Sequence, residues 1–218
     1  MLEPLRIEWR LATPIKVGER PLHLDALLAF ARVQQALREG RDQQGLRRYH
    51  DELPLGRVGD STNWVWQASA LHITPASTPF ITIMTRRTDY EQLARDRGRL
   101  FPGNLNVLMP GTGPMKQYLL RHAFQWTNSV EAFCVGRKEE ITDLLSSITH
   151  LGGIRRNDWG RITSRTVEAD KAAETRWRER ALPESLAQYC LASHRPSTGT
   201  CRPPYHDRTQ WQNIFEII

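Results

Sequence analysis

The segment Gly152–Arg161 combines glycines, arginines and a tryptophan in an order suited to holding a phosphate backbone. Paired glycines permit positive φ angles and let the main chain approach a ligand closely. Arginine forks match phosphate oxygens, and the indole offers a face on which a base can stack. The alternative is a helix C-terminal cap with solvated arginines, but three arginines and a tryptophan in so short a segment favour RNA binding. The expected binding residues are Gly152, Gly153, Arg155, Arg156, Trp159 and Arg161.

Two further segments carry arginines that suit a nucleic acid. Arg57 lies among small residues before a predicted strand, and Arg86 and Arg87 precede an insertion at about residues 88–114. The Pro/Gly-punctuated sequence of the insertion predicts a long loop, and such a loop in a compact domain is usually functional. Its apolar tip could wedge against a nucleic-acid strand, or it could pack on its own domain or on a neighbouring subunit. The tip residues are Leu105, Val107, Leu108 and Met109.

Residue types that bind zinc occur near the end of the sequence. They are Cys190, His194, Cys201 and His206. Their C-x3-H and C-x4-H spacings, with only six residues between the halves, depart from those of structural zinc sites. A turn-rich segment that packs on the domain is the favoured interpretation, so the sequence predicts no metal and no cofactor.

The histidines that could support catalysis are scattered along the chain. Motifs of phosphate-binding loops, serine hydrolases and zinc hydrolases are absent from the sequence. A metal-independent ribonuclease needs a base beside the attacking 2′-hydroxyl and a proton donor for the leaving oxygen. His50 and His122 are conceivable in those roles, yet nothing in the sequence brings them together. We therefore predict a binding protein rather than an enzyme.

Charge and composition permit a nucleic-acid partner. The net charge is +6, the isoelectric point is about 9.6, and only four of the 30 basic residues are lysines. Arginine binds phosphate bidentately and stacks on bases, although a GC-rich genome would also favour arginine codons. No signal-peptide pattern and no apolar run of about 18 residues is present. The expected location is therefore the cytoplasm, with no membrane contact, and the odd number of cysteines argues against a disulfide framework.

Hydrophobic spacing predicts the elements that position these side chains. Extended structure is expected at Leu5–Val17, Trp64–Ile73, Phe80–Thr85, Met115–Trp126, Ser129–Val135 and Trp159–Val167. Helices are expected from Pro21, at Lys138–His150 and at Glu168–Arg180. This order predicts an α+β, ferredoxin-like β-α-β-β-α-β domain at residues 1–182, followed by an irregular C-terminal tail at 183–218 that packs on it.

Five segments together resemble one protein family. They are LEPLRIEWRLATPI, PLHLDALLAFARVQQAL, WVWQASAL, MTRRTD and ITDLLSSITHLGGIRRNDWGRI, spread over residues 3–170. The chain is similar to the RAMP-type subunit of type IV CRISPR complexes, the counterpart of Cas5 subunits. That resemblance implies a ferredoxin-like (RRM/RAMP) RNA-recognition domain, with a thumb-like insertion at about 88–114.

The resemblance also implies a function and partners. The protein would bind the 5′ handle of the guide RNA (crRNA) and cap a filament of Cas7-like backbone subunits. Beside a large-like subunit, it would help to engage target DNA near its short adjacent motif (PAM), while base pairing reads the target sequence. RNA cutting in this family belongs to a separate subunit. Two alternatives stay open: a crRNA-processing endoribonuclease on the same fold, and a basic assembly protein that binds an acidic partner.

Overall fold

The structure is a computed structural model that describes residues 1–16, 18, 20–41, 45–86, 91, 95 and 118–217. It divides into two compact units. The larger unit comprises Met1–Thr78 and Gln125–Ile218, and the smaller one comprises Pro79–Phe124. The predicted mixture of antiparallel sheets with a few helices is confirmed. No helix within the described residues is long and apolar enough to cross a membrane.

The elements follow one another in this order. They are β1 (Glu3–Leu11), β2 (Ile15–Lys16), α1 (Leu24–Arg38), β3 (Arg57–Gly59), β4 (Trp64–Trp66), β5 (His72–Pro75), β6 (Phe80–Arg86), β7 (Tyr118–Gln125), β8 (Thr127–Gly136), α2 (Lys138–Ser146), β9 (Ile162–Ala169), α3 (Ala173–Arg176), β10 (Leu182–Pro183), β11 (His194–Gly199) and β12 (Gln212–Ile217). Short 3-10 helices lie at Leu46–His50, Arg155–Asn157, Glu184–Tyr189 and Arg208–Gln210.

The framework of the larger unit is a four-stranded sheet in the order β5-β8-β1-β9. Every neighbouring pair of strands is antiparallel. Alternation along β1 places Leu5, Ile7 and Trp9 on one face, where all three are buried. Leu28 of α1 and Leu145 of α2 belong to the same apolar cluster, so the two helices cover this face.

The opposite face of the sheet is polar, and its charges are paired. Arg6 donates to Glu131 at 2.6 Å across the β1–β8 pair. Phe133, the one buried aromatic ring on this face of β8, lies beneath a guanidinium: the ζ carbon of Arg176 is 3.8 Å from its centroid. Two bonds to Glu179, of 2.9 and 3.0 Å, hold that guanidinium in place. Ion pairs neutralise charges on this face of the sheet, and Arg176, in the segment after β9, covers Phe133.

The smaller unit contains a β-hairpin. Strands β6 and β7 pair in antiparallel register from Phe80↔Phe124 to Arg86↔Tyr118. Ile81, Ile83 and Leu119 are exposed. Strand β6 confirms the expectation of extended structure at Phe80–Thr85.

Two sequence predictions about single elements are wrong. The stretch Trp64–Ile73 is not one strand, because the backbone N–H groups of Ser69, Ala70 and Leu71 donate to three different parts of the chain. Residues 168–180 are not one helix either, because β9 continues its pairing with β1 as far as the pair Leu5↔Ala169. Only Ala173–Arg176 is α-helical in that segment.

The C-terminal segment has more regular structure than its sequence predicts. Strands β10, β12 and β11 form a small antiparallel sheet in that order. The prediction of an irregular tail is therefore wrong, because the β11 sequence HRPSTG lacks the apolar alternation that marks a strand. This sheet has its own apolar cluster, which includes Val65, Trp177, Leu182, Leu186 and Ile214.

A fully buried ion pair joins α1 to the C-terminal segment. Arg180 and Asp25 are both 0 % exposed, and an Arg180 Nη2–Asp25 Oδ2 bond of 2.9 Å joins them. Arg180 also donates to the carbonyls of Trp66 and Ala68 at 2.6 and 2.9 Å. The Tyr205 hydroxyl donates to Asp25 at 3.0 Å. Burial raises the pKa of Asp25, and the contacts with Arg180 and Tyr205 oppose that rise.

A neutral histidine lies beside this pair. His23 immediately precedes α1, and its ring stacks on Tyr205 with centroids 4.6 Å apart and planes within 6°. Burial, assisted by the positive charge of Arg180, lowers the pKa of His23 to about 3. His23 is therefore neutral near pH 7.

Replacing Arg180 with methionine should lower the free energy of unfolding by about 3–5 kcal/mol, because Asp25 would remain buried without its partner. Urea unfolding measures the change. The exposed Arg38→Met is the control and should change stability by less than about 0.5 kcal/mol. Equal stabilities for the two variants would contradict the structural role of the pair.

Stability should fall as the pH drops below 6.5. The unfolded chain then protonates His23, whereas the folded chain keeps it neutral down to about pH 3. Lowering the pH from 7.5 to 5.0 should cost about 2 kcal/mol through this residue. His23→Phe keeps the stacked ring, so its unfolding free energy should depend less on pH over that range. An identical pH dependence in both proteins would contradict the assignment.

Candidate nucleic-acid interface

The segment after α2 forms a tight loop with several left-handed residues. Gly152, Ile154, Asp158 and Gly160 have φ angles of 80°, 63°, 64° and 73°. Gly160 has no room for a side chain, since a Cβ there would lie 2.0 Å from the Leu151 carbonyl oxygen. Gly152 and Gly160 therefore serve first to let the chain turn, whereas Gly153, the other glycine predicted to bind, has no positive φ.

The loop is fastened to the connection between β1 and β2. The Gly160 N–H donates to the Pro14 carbonyl at 2.9 Å. The Thr13 hydroxyl donates to the Asp158 carbonyl at 2.6 Å and accepts from the Arg161 N–H at 2.8 Å. These bonds hold the C-terminal end of the loop and involve neither Gly152 nor Gly153. Within the described part of the chain, the N–H groups of Gly152 and Gly153 donate to no other residue.

The two glycines form part of the wall of a groove in the larger unit, with a cavity of about 360 Å³. The wall includes Ile15, Lys16, Arg20, Leu22, Ile73, Gly152 and Gly153. A Cβ on Gly152 would lie 2.9 Å from Ile15, so glycine is what lets β2 lie against the loop. The groove therefore combines uncommitted backbone N–H groups, two cations and an apolar floor.

The arginines of the loop differ in their surroundings. The ζ carbon of Arg155 lies 4.5 Å from the Phe30 ring of α1, a stacking that leaves its in-plane N–H donors available. Arg156 is exposed and has no ion-pair partner among the described residues. Arg161 lies 3.4 Å from a carboxylate oxygen of Asp158. Asp158 also bonds to the ring of His150, so Arg161 is partly neutralised.

Sequence reasoning missed the groove's own cations. Lys16 ends β2 and Arg20 lies between β2 and α1, and the Lys16 stem runs 3.3 Å from where a Gly153 Cβ would be. Their signal in the sequence is the basic, glycine-containing stretch KVGER. The loop at Gly152 has the denser run of arginines, and nothing in the sequence indicates that this stretch lies beside it. Trp159, in contrast, is part of the predicted loop and is half-buried.

The other predicted binding residues lie elsewhere. Arg57 is on β3, where its ζ carbon lies 4.2 Å from the Trp64 ring and 4.5 Å from the Trp66 ring. Arg86 ends β6 in the smaller unit. Arg87 and the expected thumb residues lie outside the described residues. Those thumb residues are Leu105, Val107, Leu108 and Met109.

Two of the four candidate zinc ligands, His194 and Cys201, are committed to other contacts. The His194 Nδ1 accepts from the Leu191 N–H at 2.9 Å, and its Nε2 donates to the Arg180 carbonyl at 2.9 Å. Cys201 is buried, and its Sγ accepts from the Gln212 side chain at 3.3 Å. No group of three or more side chains that could hold a metal ion occurs among the described residues.

The two histidines weighed as catalytic bases belong to different units. His50 ends the 3-10 helix Leu46–His50 in the larger unit, and burial lowers its pKa. His122 lies on β7 in the smaller unit.

Gly160→Ala should destabilise the protein by about 3 kcal/mol, because the new Cβ adds left-handed strain to a clash with the backbone. Gly153→Ala is the matched control: its Cβ would meet only the flexible Lys16 stem, so the change should stay below about 1 kcal/mol. Thermal or urea unfolding compares the two. Equal losses would show that the loop does not hold the described conformation.

Comparison with known proteins agrees with the sequence resemblance. No curated protein matches the chain significantly. The sequence model of a family described as CRISPR type IV associated protein Csf3 matches residues 3–217. That match spans nearly the whole chain and confirms the resemblance stated from the sequence, which makes the protein part of a CRISPR effector complex. The chain belongs to the Cas5-like Csf3 family of type IV CRISPR-associated proteins.

Proposed function

We propose that this protein is the non-catalytic subunit that binds the crRNA 5′ handle in a type IV CRISPR effector complex. It caps the filament of Cas7-like backbone subunits and, with the large-like subunit, helps to engage target DNA near the PAM. The observation that carries the proposal is the groove beside the glycine loop, with Lys16 and Arg20 on its wall.

The strand order supports a ferredoxin-like domain as the framework for this function. Strands β1, β5, β8 and β9 are the four strands of one antiparallel sheet in the order β5-β8-β1-β9. Helix α1 lies between the first and second of these strands along the chain, and α2 lies between the third and fourth. Both helices share one face. This connectivity supports the proposal of a β-α-β-β-α-β, RAMP-type domain.

The geometry of the groove suits a phosphate backbone better than an isolated base. Two adjacent uncommitted N–H groups beside positive-φ residues form a concavity that attracts anions. Lys16 and Arg20 add charge at the same place. Arg155 and Arg156 follow on the adjoining 3-10 turn, so a strand leaving the groove would meet two further phosphate donors.

The polar face of the sheet is a poorer place for RNA. RNA-recognition domains commonly stack bases on aromatic side chains of an open sheet. Here Phe133 is covered by Arg176, and Arg6 is neutralised by Glu131. Binding there would require these ion pairs to break. The loop edge of the larger unit therefore remains the favoured binding surface.

Arg155→Ala combined with Arg156→Ala should weaken binding of repeat RNA by about tenfold, because two phosphate contacts are lost. The change should alter the unfolding midpoint little, since both side chains are exposed and only the contact of Arg155 with Phe30 is lost. Filter binding at fixed salt gives the affinity, and the RNA that co-purifies with the complex gives the retention in cells. Adding Lys16→Ala should weaken binding further.

The matched control is Arg38→Ala combined with Arg178→Ala, which removes the same charge outside the loop. Control and loop variants that retain equal RNA would remove the loop from the site. The endoribonuclease alternative has a separate test. Incubation of the purified protein with repeat RNA in the absence of metal should leave the RNA intact. Site-specific cutting that His50→Ala abolishes would contradict the non-catalytic assignment.

A further inference from the structure

A second basic cavity lies on elements distinct from the glycine loop. Its volume is about 220 Å³, and it lies between the 3-10 helix Leu46–His50, strand β4 and the segment before β12. Residues on its wall include Arg47, His50, Asp51, Trp64, Arg202 and Gln210. The family match assigns no role to this cavity, and the proposed function does not use it.

Two arginines are held against one indole at this cavity. The ζ carbons of Arg57 and Arg202 lie 4.2 and 4.7 Å from the Trp64 ring centroid. Trp64 is only 9 % exposed and meets Trp66 edge-on, so the ring is a fixed support. Stacking engages the faces of the guanidinium groups and leaves N–H donors in their planes. The arginines are therefore oriented before any ligand binds.

The charges around the cavity favour an anion. Arg57 donates to the backbone carbonyl of Asp51, and Arg202 donates to the neutral Gln210 side chain at 3.3 Å. Neither arginine has a carboxylate partner among the described residues. Arg47 pairs with Asp207 but is 74 % exposed, so its remaining donors face solvent.

The remaining titratable groups leave this balance intact near neutral pH. Hydrogen bonds from Thr209 and Gln210 lower the pKa of Asp207 to about 2, which keeps it charged and able to anchor Arg47. Burial lowers the pKa of His50, so this residue contributes a neutral ring to the wall of the cavity. Two arginines, Arg47 and Arg202, and one carboxylate, that of Asp51, thus line the cavity. Arg57 contacts Trp64, and Asp207 pairs with Arg47.

We infer that this cavity, formed around Arg47, Trp64 and Arg202, binds a phosphodiester of a nucleic acid at a second site outside the glycine-loop groove. A small, polar, concave cavity with preoriented forks fits a single tetrahedral anion. An acidic protein surface would instead require a broader contact area. The same chemistry could come from the guide RNA or from duplex DNA, and the two sources differ measurably in salt dependence.

The test uses the full-length chain with Arg47→Gln and Arg202→Gln combined. Labelled repeat RNA and a labelled DNA duplex are the probes, and the dissociation constant is measured over a range of salt concentrations. If both arginines hold phosphates, the slope of log affinity against log salt should become less steep. The change should be about 1.4 for single-stranded RNA or about 1.8 for duplex DNA.

The matched control is Arg38→Gln combined with Arg178→Gln, which should leave both slopes unchanged. A change with RNA alone identifies the guide as the ligand, and a change with DNA alone identifies the duplex. Slopes equal to those of the control with both probes would overturn the inference. Poly-glutamate serves as a third probe. If the double variant loses binding to poly-glutamate and keeps its binding to both nucleic acids, the cavity binds an acidic protein, and the inference is overturned.

Arg202→Lys is a milder variant that keeps the positive charge and removes only the planar fork. It therefore tests the role of the fork in binding with less risk to the fold. The affinity for the affected probe should fall by about threefold, with little change in the slope of log affinity against log salt. Wild-type affinity in this variant would contradict the role of the fork. Because Arg155 and Arg156 are intact in all these variants, failure here would leave the proposed function at the glycine loop standing.

Discussion

The buried pair between Arg180 and Asp25 is the constraint on which the larger unit depends. The Arg180 guanidinium bonds to Asp25 in the first turn of α1, to the carbonyl of Trp66 at the end of β4, and to Tyr205 in the C-terminal segment. Removing either partner should destabilise the fold strongly, because an unpaired charge at 0 % exposure raises the free energy of the folded state. Its position also matters for the site. Arg20 and Leu22, on the wall of the groove, immediately precede the helix that this pair anchors.

Charged side chains are paired on the polar face of the sheet in the larger unit, whereas several cations at the glycine loop lack carboxylate partners among the described residues. On the polar face of the sheet, cations such as Arg6 meet carboxylates, so their charge is used within the protein. At the glycine loop, Lys16, Arg20 and Arg156 have no carboxylate partner among the described residues. Basic side chains without an ion-pair partner in the protein are available to attract a phosphate backbone. The net charge of the chain alone could not make this distinction.

Much of the framework was predictable because it rests on periodicity. Alternation at Leu5, Ile7 and Trp9 predicted β1, and helical spacing predicted both helices, although α1 begins at Leu24 and not at Pro21. The break after Trp66 was not predictable, because it depends on backbone bonds to distant segments such as Phe133. The C-terminal sheet was missed for a related reason: its strands are stabilised by pairing with each other and lack apolar alternation. At the site, glycine and arginine density located the loop, while Lys16 and Arg20 came to it only through tertiary structure.

Ultraviolet crosslinking of the intact complex to its own guide RNA, followed by mass spectrometry of the crosslinked peptides, tests the central claim most directly. The account predicts crosslinks in the peptides that contain Lys16, Arg20 and the loop from Gly152 to Trp159, all to nucleotides of the 5′ handle. Crosslinks confined to the polar face of the sheet, around Arg6 and Phe133, would contradict it, as would the absence of any crosslink between this subunit and the handle.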